Sequence, residues 1–150
     1  MRHETWLVLL GAMGVGGGVG NWSGQGRPAA AGAASTVQGC SATDGDTIRC
    51  GSERIRLLGI DAPELPAHCR AGRDCAPGDA VASTKSLRAA MSPEMAIARV
   101  GEDRYGRTLA MVNGARGDLS CWQLSRGRAI YRVEWDTGSR VARTCPRALR

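Results

Sequence analysis

Three carboxylates and two guanidinium groups in this chain could do chemistry together. Asp46 and Asp61 offer hard oxygen donors of the kind calcium or magnesium takes, Glu64 is a candidate general base, and Arg56 and Arg107 are candidate clamps for a phosphate. Hydrolysis of a phosphodiester calls for that combination: a cation against the phosphoryl oxygens, a base to aim water, and fixed positive charge where negative charge grows in the transition state. Each residue also has a plain structural reading. Asp44-Gly45-Asp46 suits a hairpin turn, Arg56 suits a cross-strand ion pair with Glu53 or Glu64, Asp61 ahead of Ala62-Pro63 suits a turn start, and Tyr105-Gly106 suits a hairpin bend. Their joint occurrence in one short chain favours the hydrolytic reading. His3 and His68 have no serine or cysteine motif around them, and His68 reads as a loop residue.

The elements that must position these side chains follow from periodicity and turn chemistry. Val37 to Ala42 and Thr47 to Cys50 read as strands around the Asp44-Gly45-Asp46 turn, and Arg54 to Ile60 reads as a third strand. With Ile55 and Leu57 on one face and Arg56, Leu58 and Ile60 on the other, this third strand is expected to be central and mostly buried. Residues 61–78 hold three prolines and two cysteines and read as a stapled loop. Ala80, Thr84, Leu87 and Met91 recur at helical spacing over 79–91, with Asp79 as N-cap and Pro93 just beyond the end. Strands over 95–100 and 108–113 and a short helix over 119–126, closing on Gly127, complete the order. Five short strands with a helix after the third predict an α+β, mainly β fold: a five-stranded Greek-key barrel of the oligonucleotide-binding (OB) type with two or three short helices.

Composition bounds the rest. At 150 residues the chain fits one domain plus a tail. Its net charge is +6, and every basic residue but Lys85 is an arginine, which suits a polyanionic partner. Six cysteines, none spaced as C-x-x-C, argue for disulfides in an oxidising compartment and against a zinc site built on His68 and Cys69. Cys40 and Cys50 lie equidistant from Gly45, so a hairpin there makes them cross-strand partners within disulfide reach. Proximity along the chain pairs Cys69 with Cys75 and Cys121 with Cys145. Residues 1–35 read as a signal peptide or N-terminal anchor: Arg2 and His3 precede the apolar run from Trp6 to Leu10, and small residues from Ala29 to Ala34 follow. That run is shorter than the ~20 apolar residues a spanning helix needs, so a secreted or periplasmic protein is expected, with an uncleaved anchor as the alternative.

Asp44-Gly45-Asp46-Thr47, the run from Ile55 to Glu64 (Ile-Arg-Leu-Leu-Gly-Ile-Asp-Ala-Pro-Glu), and Asp103-Arg104-Tyr105-Gly106-Arg107 resemble, in order and separation, the three signatures of the staphylococcal nuclease (thermonuclease) family. The resemblance covers residues 37–127, with 135–146 assigned to a disulfide-bearing secreted bacterial branch. It implies a calcium-dependent endonuclease that cleaves DNA or RNA with little sequence preference, leaving 3′-phosphate ends, with magnesium or manganese less favoured. Matched position by position, it implies that Asp46, Asp61 and the backbone carbonyl of Ala62 bind the metal, that Glu64 activates water, and that Arg56 and Arg107 grip the scissile phosphate. Tyr105 and Arg104 match substrate-binding positions, the latter replacing a lysine, while neither Trp122, Tyr131 nor Trp135 aligns with the family's base-stacking tyrosine. The partner implied is nucleic acid, with no obligate protein partner and a monomeric state. Two alternatives from other classes stand beside this: a non-catalytic OB-type nucleic-acid-binding module, and an anchored domain whose arginines serve anionic lipid or polysaccharide.

Overall fold

The protein is described by a computed structural model covering residues 35–66 and 68–149, so the leader expected over 1–35 lies outside the described residues except for Ser35, which opens the first strand. The chain opens with β1 (Ser35–Gln38) and β2 (Cys40–Ala42), followed by β3 (Thr47–Cys50), β4 (Glu53–Leu57) and β5 (Ile60–Asp61). Helix α1 (Ala80–Ala90) then leads to β6 (Glu94–Glu102), β7 (Thr108–Gly114) and β8 (Gly117–Asp118). Helix α2 (Leu119–Ser125), β9 (Ile130–Tyr131) and α3 (Arg140–Thr144) follow, with short 3₁₀ turns flanking α3. The fold is α+β and mainly strand.

Seven strands form one mixed sheet, running β1-β6-β7-β4-β3-β2 with β8 paired to β7, while β5 and β9 form a separate two-stranded ladder. The pairing of β4 with β7 is parallel, setting Arg56 opposite Leu109. The two outer strands of the path, β1 and β2, are separated in sequence by Gly39 alone. Gly39 has φ +62°, a left-handed conformation that glycine adopts without a Cβ penalty. It redirects the chain there, so the single strand expected over 37–42 becomes two, one hydrogen-bonded to β6 and the other to β3.

The third strand also ends earlier than its apolar pattern predicts. Gly59, at φ +70°, turns the backbone out of the sheet after Leu57, and its N–H donates to the Trp135 carbonyl at 3.2 Å. A Cβ at Gly59 would stand 3.0 Å from Val141 Cγ2 and 3.1 Å from Asp136 Cβ, so the C-terminal segment packs on bare backbone. As expected, β4 is central and buried: Ile55, Arg56 and Leu57 are all below a tenth exposed.

Asp79 caps α1 by accepting the Ala82 N–H at 2.9 Å. Its buried face is Ala80, Ser83, Leu87 and Ala90. Thr84 and Met91, expected on that face, are only half-buried, because Ser83 turns inward to donate its hydroxyl to the Arg128 carbonyl at 2.6 Å and Met91 is already extended backbone after the helix. Leu87 is fully buried with Ile48, Ile55, Ile97, Val112 and Leu119, and burial of one such side chain contributes ~1.5–3 kcal/mol.

All three expected disulfides are present, Cys40–Cys50, Cys69–Cys75 and Cys121–Cys145. The last fastens the end of α3 to α2, in a region the periodicity did not predict to be helical. Asp136 organises that region, accepting the N–H groups of Val141 and Ala142 at 3.0 Å each and the Tyr131 hydroxyl at 2.9 Å. Among the described residues no helix is long and apolar enough to cross a membrane.

Candidate active site

The β2–β3 loop sets Asp46 in place. Asp44 Oδ1 accepts the Asp46 N–H at 3.0 Å, an Asx turn, and the Leu57 N–H donates to the Asp46 carbonyl at 2.8 Å. Gly45 is needed for contact rather than for an unusual dihedral: a Cβ there would stand 2.0 Å from Ser83 Oγ and 2.7 Å from the Ala62 side chain. The side-chain amide of Gln123, in α2, donates to the Gly45 carbonyl at 2.7 Å, tying the loop to the helices. Sheet register then brings Arg56 opposite Thr47, with Asp46 next to it.

Arg56 bridges the two aspartates. Its Nη1 pairs with Asp46 Oδ1, and its Nη2 reaches Asp61 Oδ1 at 3.3 Å and the Ile60 carbonyl at 3.1 Å. The remaining oxygen of Asp46, Oδ2, accepts the backbone N–H of Ala62 at 2.7 Å. Asp61 also meets Arg73 at 2.7 Å and Arg132 at 3.5 Å, and Arg73 reaches on to Glu64 at 2.9 Å. Asp46 and Asp61 are buried, Arg56 nearly so, and Glu64 half-buried. Burial pushes the Asp46 carboxyl up to about 7, although the Arg56 guanidinium draws it down. Two buried carboxylates that share one guanidinium, one of them costly to ionise, are a donor pair that a hard cation could compensate.

Asp46, Asp61, Ala62, Glu64 and Arg56 are therefore brought together. Arg56 does not pair with Glu53 or Glu64, as its structural reading expected: Glu53 is taken by Arg99 at 2.7 Å and Glu64 by Arg73. Arg107, Arg104 and Tyr105 form a neighbouring group at the β6–β7 turn. Arg107 pairs with Asp103 at 2.7 Å rather than joining Arg56 at the aspartates, because Asp103 also accepts the Tyr105 and Arg107 backbone N–H groups and closes this turn around Gly106. The exposed Tyr105 hydroxyl accepts from Arg104 at 2.7 Å and Arg70 at 3.4 Å, and these hydrogen bonds and charges, Arg104 first, lower its pKa.

Arg70, Arg73, Arg132 and Trp135 were missed by sequence reasoning. The Cys69–Cys75 loop carries Arg70 to Tyr105 and Arg73 to Asp61, so it links the two groups. Trp135 is 38% exposed, with the guanidinium carbons of Arg56, Arg132 and Arg73 at 5.3, 5.7 and 5.9 Å from its ring centre. The one available signal was the resemblance itself, which calls for a base-stacking aromatic that none of Trp122, Tyr131 and Trp135 aligns with. His68 lies in an exposed turn, and Cys69 is in a disulfide rather than a zinc site. Among the described residues no group of three or more His, Cys, Asp or Glu is gathered to hold a metal.

No family model matches the chain. It is similar to the succinoglycan biosynthesis protein ExoI of Rhizobium meliloti (strain 1021), with 36% identity over 106 residues. The match takes in 68% of this chain and 56% of that protein, so the chain spans little more than half of its relative's length.

Proposed function

We propose that the chain is a secreted, metal-dependent phosphodiesterase of the staphylococcal nuclease type, acting on DNA or RNA. The observation that carries this reading is the convergence of Asp46 and Asp61 on Arg56, with Glu64 joined to Asp61 through Arg73. A closed OB-type barrel is the matching fold proposal. It is supported by the strand order, whose outer strands β1 and β2 adjoin in sequence, and by the parallel β4–β7 pair. Secretion is supported by three disulfides and no free cysteine among the described residues.

Asp46, Asp61 and the Ala62 carbonyl would hold a calcium ion, which when bound supplies Lewis-acid neutralisation of the phosphoryl oxygens. Glu64 accepts the proton of the attacking water, a role open to its half-buried carboxylate. Arg56 stabilises charge on the phosphoryl group from a fixed position, its fork held by Ile60 and both aspartates. Arg107 serves as the second clamp once it exchanges Asp103 for phosphate. Trp135 offers an exposed ring beside this centre for a nucleobase.

The test is incubation of the oxidised chain with single-stranded DNA, duplex DNA and RNA in calcium, magnesium or chelator. The reading expects cleavage with a divalent ion and none with chelator; intact substrates throughout reject it. A second reading takes its support from the relative named for succinoglycan biosynthesis, namely a polysaccharide-related role for the arginine-rich surface. Binding to succinoglycan that excess nucleic acid does not displace would favour it.

A further inference from the structure

Around Asp61 acids and arginines interleave: Asp46, Asp61 and Glu64 face Arg56, Arg73 and Arg132, with Asp44 beside Asp46. Both oxygens of the fully buried Asp61 are engaged. Oδ1 accepts from Arg73 at 2.7 Å and Arg56 at 3.3 Å, and Oδ2 from Arg132 at 3.5 Å. A divalent cation entering here would adjoin guanidinium groups in a poorly hydrated site, where like charges a few ångströms apart repel strongly. It can take Asp61 only as one guanidinium leaves.

The three arginines are not equally free to go. Arg56 rises from the central strand β4, its side chain only 8% exposed, and is held by Asp46 and the Ile60 carbonyl as well. Arg132 is anchored a second time, on the Asp74 carbonyl at 2.9 Å. Arg73 is the most exposed at 35%, and it sits in the irregular loop closed by Cys69–Cys75. Its guanidinium hydrogen bonds go to Asp61 and Glu64, and on leaving them it regains water.

We propose that Arg73 is a displaceable latch, whose guanidinium bridges Asp61 and Glu64 and competes directly with a divalent cation for Asp61. The latch rests on the ion-binding reading given above and adds a regulatory element to it. The same contact occupies Glu64 Oε1, so releasing Arg73 frees that oxygen of the base and the ion ligand in one movement.

Calorimetric titration of calcium into the full oxidised chain tests this, with Arg73→Gln, Arg73→Lys, Asp61→Asn and the Arg73→Gln/Asp61→Asn double variant beside the parent. Because Arg73 lies on an exposed loop, its replacements should fold. Arg73→Gln is expected to bind calcium at least about tenfold more tightly than the parent, with Arg73→Lys between them, since a unit charge beside the ion is removed or loosened. Asp61→Asn is expected to abolish binding in either background. Equal or weaker binding by Arg73→Gln that is still lost with Asp61→Asn overturns the latch alone. Calcium binding that survives Asp61→Asn, or that is missing from both the parent and Arg73→Gln, overturns the latch together with the ion site beneath it.

Discussion

Glu64 is the residue whose proposed role is most exposed to a direct challenge. Among the described residues its side chain hydrogen-bonds to Arg73, and it keeps part of its surface in water, so replacing it with glutamine preserves shape while removing the proton acceptor. Glu64→Gln should lower turnover by at least ~10²-fold and leave nucleic-acid binding near the parental level, as is usual for loss of a general base. Unchanged turnover would remove Glu64 from the mechanism. Glu53 makes a contrasting case, because its carboxylate is structural. The hydrogen bonds from Arg99, first, and from Thr108 hold its pKa below the ordinary 4.5. A depressed carboxylate pKa contributes stability above the unfolded value and loses it as the pH falls through the folded one. The partly exposed pair should therefore be worth about 1 kcal/mol or less at pH 7. Urea unfolding of Glu53→Gln should show a deficit of that size at pH 7 that shrinks below about pH 4; a deficit independent of pH would contradict the ion-pair account. At this scale the sequence was informative about residue types and poor on partners. Asp46, Asp61, Ala62, Glu64 and Arg56 were legible because they sit in short motifs. Arg73 and Arg132 were not, because their approach to Asp61 spans 12 and 71 residues of chain and depends on a loop and a turn with no periodic signal.

At the scale of elements, the β2–β3 loop is the part that fixes the site. Gly45 lets that loop lie against Ser83 of α1 and Ala62, and a methyl group there collides with both. Gly45→Ala should destabilise the fold by ~1–3 kcal/mol, the usual range for overpacking. It should also weaken calcium binding as Asp46 shifts, measured by denaturant unfolding and ion titration; parental values in both would show that the close approach is unimportant. Elements governed by local chemistry were readable beforehand. Asp79 marked the start of α1, Pro93 followed its end, and the symmetric spacing about Gly45 gave the Cys40–Cys50 pairing. Two departures have one cause, a glycine in the left-handed region. Gly39 divides the first strand between two partners, and Gly59 ends β4 before Leu58 and Ile60 can extend it. Apolar alternation continues through Leu58 and Ile60, but the backbone follows the hydrogen bonds to the 130–135 segment, which the pattern alone does not reveal.

Across the whole molecule, the sheet and helices serve to hold acidic side chains within a strongly basic protein. The chain carries a net charge of +6, and its buried aspartates Asp46 and Asp61 are paired with arginine. A polyanion would be drawn to such a surface. This division of charge was foreseeable from composition only as an arginine excess; where the acids gather required the fold. The C-terminal region, pinned by Cys121–Cys145 and ordered by Asp136, contributes Arg132 and Trp135 to the centre and was read beforehand only as a disulfide-bearing extension. The most direct measurement is cleavage of single-stranded DNA by the oxidised chain and its Asp61→Asn variant, each in calcium and in chelator. The account predicts cutting by the parent in calcium alone and at least ~10²-fold less by Asp61→Asn, in line with loss of a group that seats the ion. Cutting that persists in chelator, that ignores Asp61→Asn, or that never occurs would contradict it.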